Sequence, residues 1–533
     1  MKKGFKIDAA IFYPGAGLLL FMILYGFLFK DSFSYITGLL YNITTEWFGW
    51  FMLVITGLIV ILCFVICATP VGNKKVGGPD AEIKHGMFSW CAMVTCAGTA
   101  TAVVFYAVGE PITYLYNPPA WWTGFEPLTP DTAVRAVSQA AWHWSFIYYA
   151  LYAFWGFICG YVVMNHKLPP RPSSALYPLI KDKCFGPIGK FFDVLALLGL
   201  VGGMVTSLGL GCQQFAAGLD YVFGITPSNT VYITTLVVVV LTFTLSSLRG
   251  VKKGMAIISD INAYIYLFVI AFLFVAGPTV FELNMLTAVT GEIITRFIPN
   301  IMAADPFNVG NNWVENNTVF YVAWVMAYGP LMGVFQGKVA VGYTWRRFLL
   351  VNVLAPAIFN IVWFVAFGGN AIYLDMFQNA GLGEELATGG VPIMNYALLK
   401  HLPLNAIMIP MVVAALFFGF VTLADAMTGT LAKMTIKSSR EAADEEAPMA
   451  MKVVWGSIVG AATFLCLTML GSSGTSALQL MSVFFGLPIF IATLLVIFTL
   501  PKTCSLKLDA EIEALSDAQK ECLYNGHTFD AAK

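Results

Sequence analysis

Apolar residues fall in long unbroken stretches separated by short polar connections. That spacing predicts helices that cross a bilayer, which need roughly 20 consecutive apolar residues each. Twelve stretches qualify, over 11–30, 49–69, 87–109, 138–163, 190–222, 229–247, 258–279, 318–337, 348–373, 405–432, 453–471 and 477–499. A membrane β-barrel would instead alternate apolar and polar residues in segments of about ten. The first run follows Met1-Lys2-Lys3. It is longer than the apolar core of a signal peptide and ends without a small-residue cleavage site, so it reads as a retained span.

Basic residues orient the runs, because cytoplasmic loops carry the excess of Lys and Arg. With the runs numbered alternately, only Lys30, Arg135, Arg296 and Lys400 of the 29 basic residues fall on one side. The other side holds Lys74, Lys75, Lys167, Arg171, Arg249, Lys252, Lys253, Arg346, Arg347, Lys437 and Arg440 among others. This predicts a multi-pass protein of the inner (plasma) membrane with cytoplasmic N- and C-termini. A missed or extra run would scramble the split.

Composition agrees. Of 533 residues 58% are hydrophobic and 11% charged, against about 25% charged in soluble domains. The net charge of −1 gives no reason to expect a nucleic-acid partner. Most of the ten cysteines lie inside runs, where a free thiol behaves as a small hydrophobe. Five histidines, and no HExxH, Walker or GxSxG motif, give no support to an enzyme or a resident cofactor. No repeated filter-like loop points to a channel.

The chain divides into 1–86, with the first two runs; 87–280, five runs; 281–317, an outer connection; 318–500, five more runs; and 501–533, a tail. Runs three and eight carry interruptions at similar depth. The third has Ala97, Gly98, Thr99, Ala100, Thr101 and Ala102; the eighth has Gly329-Pro330. Proline removes a helical hydrogen bond, and small residues allow unwinding or close packing. Interruptions at matching positions of two halves point to a midplane transport site. Between the halves, Leu286, Val289, Ile293, Phe297 and Ile301 recur at helical spacing, which predicts an interfacial helix over 281–302.

Ionisable groups at membrane depth are functional candidates because burying charge is costly. Glu110 closes the third run in Gly109-Glu110-Pro111, at the outer interface. His143 opens the fourth, and Asp425 is the deepest carboxylate. No Lys or Arg is found near the midplane in the sequence, so a strongly anionic substrate lacks a side-chain partner.

Aromatic residues form 15% of the chain and concentrate in two places. The fourth run reads Trp142-His143-Trp144-Ser145-Phe146-Ile147-Tyr148-Tyr149-Ala150-Leu151-Tyr152. The eighth contains Trp324 and Tyr328, which share a face at i, i+4. On one continuous helix Trp144 and Tyr149 diverge by about 140°, with Tyr152 between them. Ring faces attract cations by about 2 kcal/mol when desolvated, and a quaternary ammonium has no N–H for a conventional acceptor. An aromatic belt at the membrane interface is the alternative, and Trp121 and Trp122 fit it.

At these residues the chain resembles the betaine/choline/carnitine transporter family, from about 85 to 500. Phe105-Tyr106-Ala107-Val108-Gly109-Glu110-Pro111 is similar to F-[WY]-G-x-x-E-P. Gly250-Val251-Lys252, Ser259 to Asn262 and Gly277-Pro278-Thr279 follow in family order. Phe320 to Phe335 matches F-Y-x-A-W-x-x-x-[WY]-x-P-x-x-G-x-F, Phe367-Gly368-Gly369 ends the ninth run, and Val421-Thr422-Leu423-Ala424-Asp425 stands for V-T-S-A-D.

The resemblance implies an all-α polytopic membrane protein of twelve transmembrane helices. Two extra helices would precede a leucine-transporter-like 5+5 inverted repeat, often in a homotrimer. It implies secondary transport of a betaine, carnitine or similar quaternary ammonium or zwitterion, with Trp144, Tyr149, Tyr152, Trp324 and Tyr328 at the substrate. Departures sharpen it. The family's G-x-G-x-G is here Gly98 to Ala102 with two alanines, and Ala102 argues against choline. Val325 stands where a cage tryptophan is usual. Leu423 replaces a serine that ligates sodium in coupled members, while Thr422 is kept; a leucine offers no oxygen to a hard cation. Val341 and Tyr343 replace arginines. This favours sodium-independent exchange or uniport, with a sodium- or proton-coupled symporter using Thr422, Asp425 or Glu110 as the alternative, and a channel or membrane enzyme as the different-class reading.

Overall fold

The computed structural model describes residues 6–99, 102–248, 251–437, 447–468, 476–506 and 519–520. Among these the chain is helical, with two isolated β-bridges, Ile7 to Ile436 and Lys75 to Thr344. The helices are α1 (Ala9–Leu28), α2 (Lys30–Ala68), α3 (Met87–Thr99), α4 (Ala102–Tyr116), α5 (Pro130–His143), α6 (Phe146–Gly160) and the single turn α7 (Tyr177–Ile180). Then come α8 (Pro187–Phe223), α9 (Asn229–Leu248), α10 (Val251–Ala276), α11 (Thr279–Ile301), α12 (Phe320–Val339), α13 (Trp345–Phe364), α14 (Asn370–Gln378), α15 (Leu382–Gly389) and α16 (Met394–Lys400). The last are α17 (Asn405–Met434), α18 (Met449–Thr468) and α19 (Ser476–Cys504).

Each of the twelve apolar runs coincides with helix. Among the described residues, nine helices taken singly are long and apolar enough to cross a membrane. The other three runs are α3 with α4, α9, and α10. The α2 helix begins directly after α1 and has 39 residues. At 1.5 Å per residue that is about twice a bilayer's hydrocarbon thickness, so the expected outer loop between the first two runs is helix instead. After Gly277-Pro278 the chain turns by 115° into α11, where the amphipathic spacing predicts an interfacial helix.

The interruptions differ from the expected pair. In the third run the expected interruption falls on Ala100 and Thr101, which lie outside the described residues; helix is described up to Thr99 and from Ala102. In the eighth run α12 continues through Gly329-Pro330. A proline there removes one hydrogen bond, but packing on α6 holds the helix together. The fourth run, read as continuous, breaks at Trp144-Ser145, where Ser145 has φ −113° and ψ −115°. Two π-helical segments, Glu315–Val319 and Val365–Gly369, lie in the eighth and ninth runs.

The interior is built on α12, which packs on α6, α8 and α19. Its contact with α6 is backbone to backbone. Gly329, Gly333 and Gly337 recur every four residues on α12 and face Trp155, Gly156 and Gly160. A methyl group on Gly333 would stand 2.5 Å from the carbonyl carbon of Trp155, and one on Gly337 would stand 2.7 Å from the Cα of Gly160. Glycine is the residue that allows such an approach.

Gly333→Val is therefore expected to lower the melting temperature in detergent, by an overpacking cost of roughly 1–3 kcal/mol. Gly291→Ala on α11 is the control. Nothing lies within 4 Å of its added methyl, and a helical alanine for glycine favours the fold by up to about 1 kcal/mol. Equal melting of the two variants would show that the glycine seam does not set the packing.

Candidate functional site

The seam holds two aromatic strips side by side, one on α6 and one on α12. Between them lies a narrow cavity. From α6 it is lined by Tyr148 and Tyr152, four residues apart, and from α12 by Trp324, Val325, Tyr328 and Met332. Gly98 and Ala102 line it from the third run, Ser207 from α8 and Leu423 from α17. Among the described residues no charged side chain is on this wall.

The polar ends of the rings are tied back into the protein. Tyr148 donates its hydroxyl to the Gly98 carbonyl at 3.0 Å, and Tyr152 donates to the Tyr148 hydroxyl at 3.4 Å. The Trp324 indole N–H donates to the Gly203 carbonyl at 3.1 Å. The hydroxyls of Tyr328 and Ser207 pair at 2.8 Å. With their polar atoms engaged, the rings offer the cavity mainly their π faces, the surface that attracts a cation lacking N–H donors. In the Ser207–Tyr328 pair one hydroxyl hydrogen stays unspent, and it is the donor open to a carboxylate.

Of the residues singled out from sequence, Gly98, Ala102, Tyr152, Trp324, Val325 and Tyr328 stand on the wall. Trp144, Tyr149 and Thr99 do not. Tyr149 and Thr99 meet on the far side, where their hydroxyls lie 3.3 Å apart. There Asn360 of α13 donates to the Tyr149 hydroxyl at 3.1 Å and to the Trp144 carbonyl at 2.6 Å. That carbonyl loses its helical donor at the Trp144-Ser145 break, so Asn360 supplies one. The same break shifts the helical phase, which is why Tyr148 rather than Tyr149 points inward. Spacing within 146–160 alone would have picked Tyr148 with Tyr152.

Glu110, read as an outer interfacial residue, is buried. Its carboxylate accepts from Tyr114 O–H at 2.8 Å, from the Trp144 indole N–H at 2.7 Å and from His143 Nδ1 at 2.5 Å. His143 Nε2 lies 3.0 Å from the Thr318 hydroxyl and 3.1 Å from the Gln139 amide nitrogen. Trp144 stacks on Tyr106 at 5.4 Å and meets Trp324 edge-on at 5.9 Å. It therefore stands behind the cavity wall, fixed by Glu110.

The ion candidates do not converge. The Thr422 hydroxyl donates to the Phe418 carbonyl of its own helix at 2.8 Å. Leu423 is on the cavity wall. Asp425 is buried and accepts from Lys452 Nζ at 2.8 Å. The sequence reading finds no cation at this depth. Lys452 reaches it from the start of α18, 27 residues away, a tertiary pairing that local spacing does not carry.

Comparison with known proteins places these features. The model of the betaine/carnitine/choline family of transporters matches residues 10–508. The glycine betaine transporter OpuD of Bacillus subtilis is 31% identical over 504 residues, 94% of this chain and 95% of that protein. A probable glycine betaine transporter of Desulfitobacterium hafniense is 29% identical over 93% of this chain and 97% of its own length. The high-affinity choline transport protein of Escherichia coli K12 is 30% identical over 91% of this chain and 70% of its own.

The geometry separates wall from support. Tyr148→Leu and Trp324→Leu should each weaken ligand binding at least tenfold, about 1.4 kcal/mol, in protein that still elutes as a folded species. Tyr149→Phe, which keeps the ring and lies off the wall, should change affinity less than threefold. Binding titrations on the three purified variants check this; an effect of Tyr149→Phe as large as the others would move the cavity to the wrong face of α6.

Proposed function

The chain belongs to the betaine/carnitine/choline transporter family, and on that premise we propose that it carries a quaternary ammonium zwitterion by alternating access around the aromatic cavity. Members of this family are transporters, not enzymes. The observation that carries the reading is the cavity wall itself: four aromatic side chains, hydroxyls, and no charge among the described residues. A trimethylammonium group is held by ring faces, and its carboxylate by the hydroxyl donor. A ligand with net positive charge, such as choline, would enter an interior without a counter-ion, which is costly. This favours a betaine or carnitine-like zwitterion over choline, in line with Ala102 where an acidic residue would suit choline.

The proposal includes sodium-independent exchange or uniport. Three placements support it: Leu423 turns methyl groups toward the cavity, the Thr422 hydroxyl is bonded within its helix, and Asp425 is paired with Lys452. A dehydrated sodium ion needs several oxygen ligands. It further includes an inverted repeat over 87–280 and 318–500, cytoplasmic termini supported by the basic-residue split, and a homotrimer.

Two measurements test this. In proteoliposomes, counterflow of labelled glycine betaine or carnitine should proceed at the same rate when N-methylglucamine replaces sodium. A fall to background without sodium would reinstate a coupled symporter. In a melting screen, a zwitterion at 100 times its Kd should stabilise the protein by about 2.7 kcal/mol, and choline by less. Val325→Trp, which adds a ring to the wall, should move the ligand ranking toward glycine betaine; an unchanged ranking removes Val325 from the site.

A further inference from the structure

The least satisfied charge-bearing group among the described residues lies away from the cavity. Glu282, in the first turn of α11, is fully buried. Neither of its carboxylate oxygens has a hydrogen-bond partner. The carboxyl sits against Gly369, whose added methyl would stand 2.9 Å from Glu282 Oε2. The adjacent Asn370 donates to the Ala366 carbonyl at 2.7 Å and to the Leu273 carbonyl at 3.3 Å, and its Oδ1 is also unpartnered.

Charged groups on the surrounding elements are engaged elsewhere. Arg135 of α5 and Arg296 of α11 pair with Glu292. Asp375 of α14 accepts from the Tyr116 hydroxyl and from Leu382 N–H. Arg346 of α13 donates to the Cys67 carbonyl. Tyr266 and Asp260 of α10, Tyr373 of α14 and Glu46 of α2 make no hydrogen bond to Glu282. An isolated ionised carboxylate in such a place is far costlier than a neutral one. Burial alone pushes the Glu282 carboxyl up to about 9.

The contact links α11 to the helices behind the cavity. Gly369 ends the π-helical segment Val365–Gly369. On its other side Gly368 lies against α4, where an added methyl would stand 2.8 Å from Pro111 Cγ. The α4 helix carries Ala102 on the cavity wall and Glu110 behind it.

We propose that Glu282 binds a proton in the closed arrangement described here and releases it when the contact with Gly369 opens, so that pH sets how readily this side of the carrier opens. The sign follows from linkage. Closed, the carboxyl is neutral; open and hydrated, it ionises above its ordinary range near pH 4.5. Closing therefore takes up a proton from about pH 4.5 to about pH 9, and each unit of rising pH in that window favours the open form up to tenfold. Above about 9 both forms are ionised and the balance no longer changes with pH. The gating part rests on the transport reading above; the proton does not.

Full-length protein in detergent should show a melting temperature that falls more steeply between pH 5 and pH 9 in the wild type than in Glu282→Gln, which is neutral at every pH. Glu282→Leu, an apolar replacement that needs no hydrogen bonds, should flatten the curve in the same way and stands in if the glutamine variant fails to fold. Parallel curves in wild type and variants overturn the proton. Exchange of labelled glycine betaine in proteoliposomes, at equal pH on both sides, should likewise be pH-dependent in the wild type and flatter in the variants. Flattened melting with an unchanged exchange profile overturns the gating. Absence of exchange in the wild type overturns the transport reading, and the melting curves then still decide the proton.

Discussion

Everything at the cavity depends on how closely α6 and α12 approach. Both aromatic strips ride on these two helices, and their separation is set where Gly329, Gly333 and Gly337 meet Trp155, Gly156 and Gly160. In lipid there is no hydrophobic gain in burying one apolar helix against another, so close backbone packing is a main source of association. With larger residues on the seam the helices would stand further apart and the rings would no longer enclose one volume. The same glycines explain why Pro330 does not break α12: the helix is clamped along its length against a neighbour that matches it.

Backbone breaks are tolerated in a membrane interior only where the freed polar groups find partners. The break at Trp144-Ser145 follows that rule. The Trp144 carbonyl, at the end of α5, takes the Asn360 amide. Glu110 extends the principle to a charge: three donors from α4 and the fourth run converge on it. These bonds join the third run to the fourth run, and the fourth run to α13. Sliding any of these against the rest exchanges hydrogen bonds rather than merely shifting apolar contacts, which suits a structure with a few discrete arrangements.

Much of this was legible in the sequence. Apolar run length marked the long helices but not the helix over 31–48, α7 or α14 to α16. Trp324, Tyr328 and Tyr152 stood out because aromatic residues at helical spacing beside small residues mark a cavity. What escaped was tertiary in origin. The Trp144-Ser145 break carries no proline or glycine, so the phase of α6 was extrapolated from the wrong starting point and Tyr149 was chosen over Tyr148. Gly329-Pro330 carried the usual signal of a break, yet packing overrode it. Lys452 and Asn360 are remote in sequence from the groups they satisfy, and Glu282 looked like an ordinary polar position on an amphipathic helix.

The distribution of charge bears on what such a protein can carry. Among the described residues two buried carboxylates near the cavity are partnered: Asp425 accepts from Lys452, and Glu110 accepts from Tyr114, Trp144 and His143. The cavity between them has no charge of its own among these residues. A carrier built this way changes its internal electrostatics least when its cargo is neutral overall yet strongly dipolar, with ring faces for one end and a hydroxyl for the other. Cation–π attraction is worth about 2 kcal/mol per desolvated face. Several faces acting together can offset much of the loss of water around an ammonium, provided that a carboxylate balances its charge within the same volume. A wall with a fixed carboxylate would hold a bare cation more tightly but would keep an uncompensated charge once the cargo left. Aromatic faces carry no such penalty when empty, and that difference makes them suited to a site that must bind and release in every cycle.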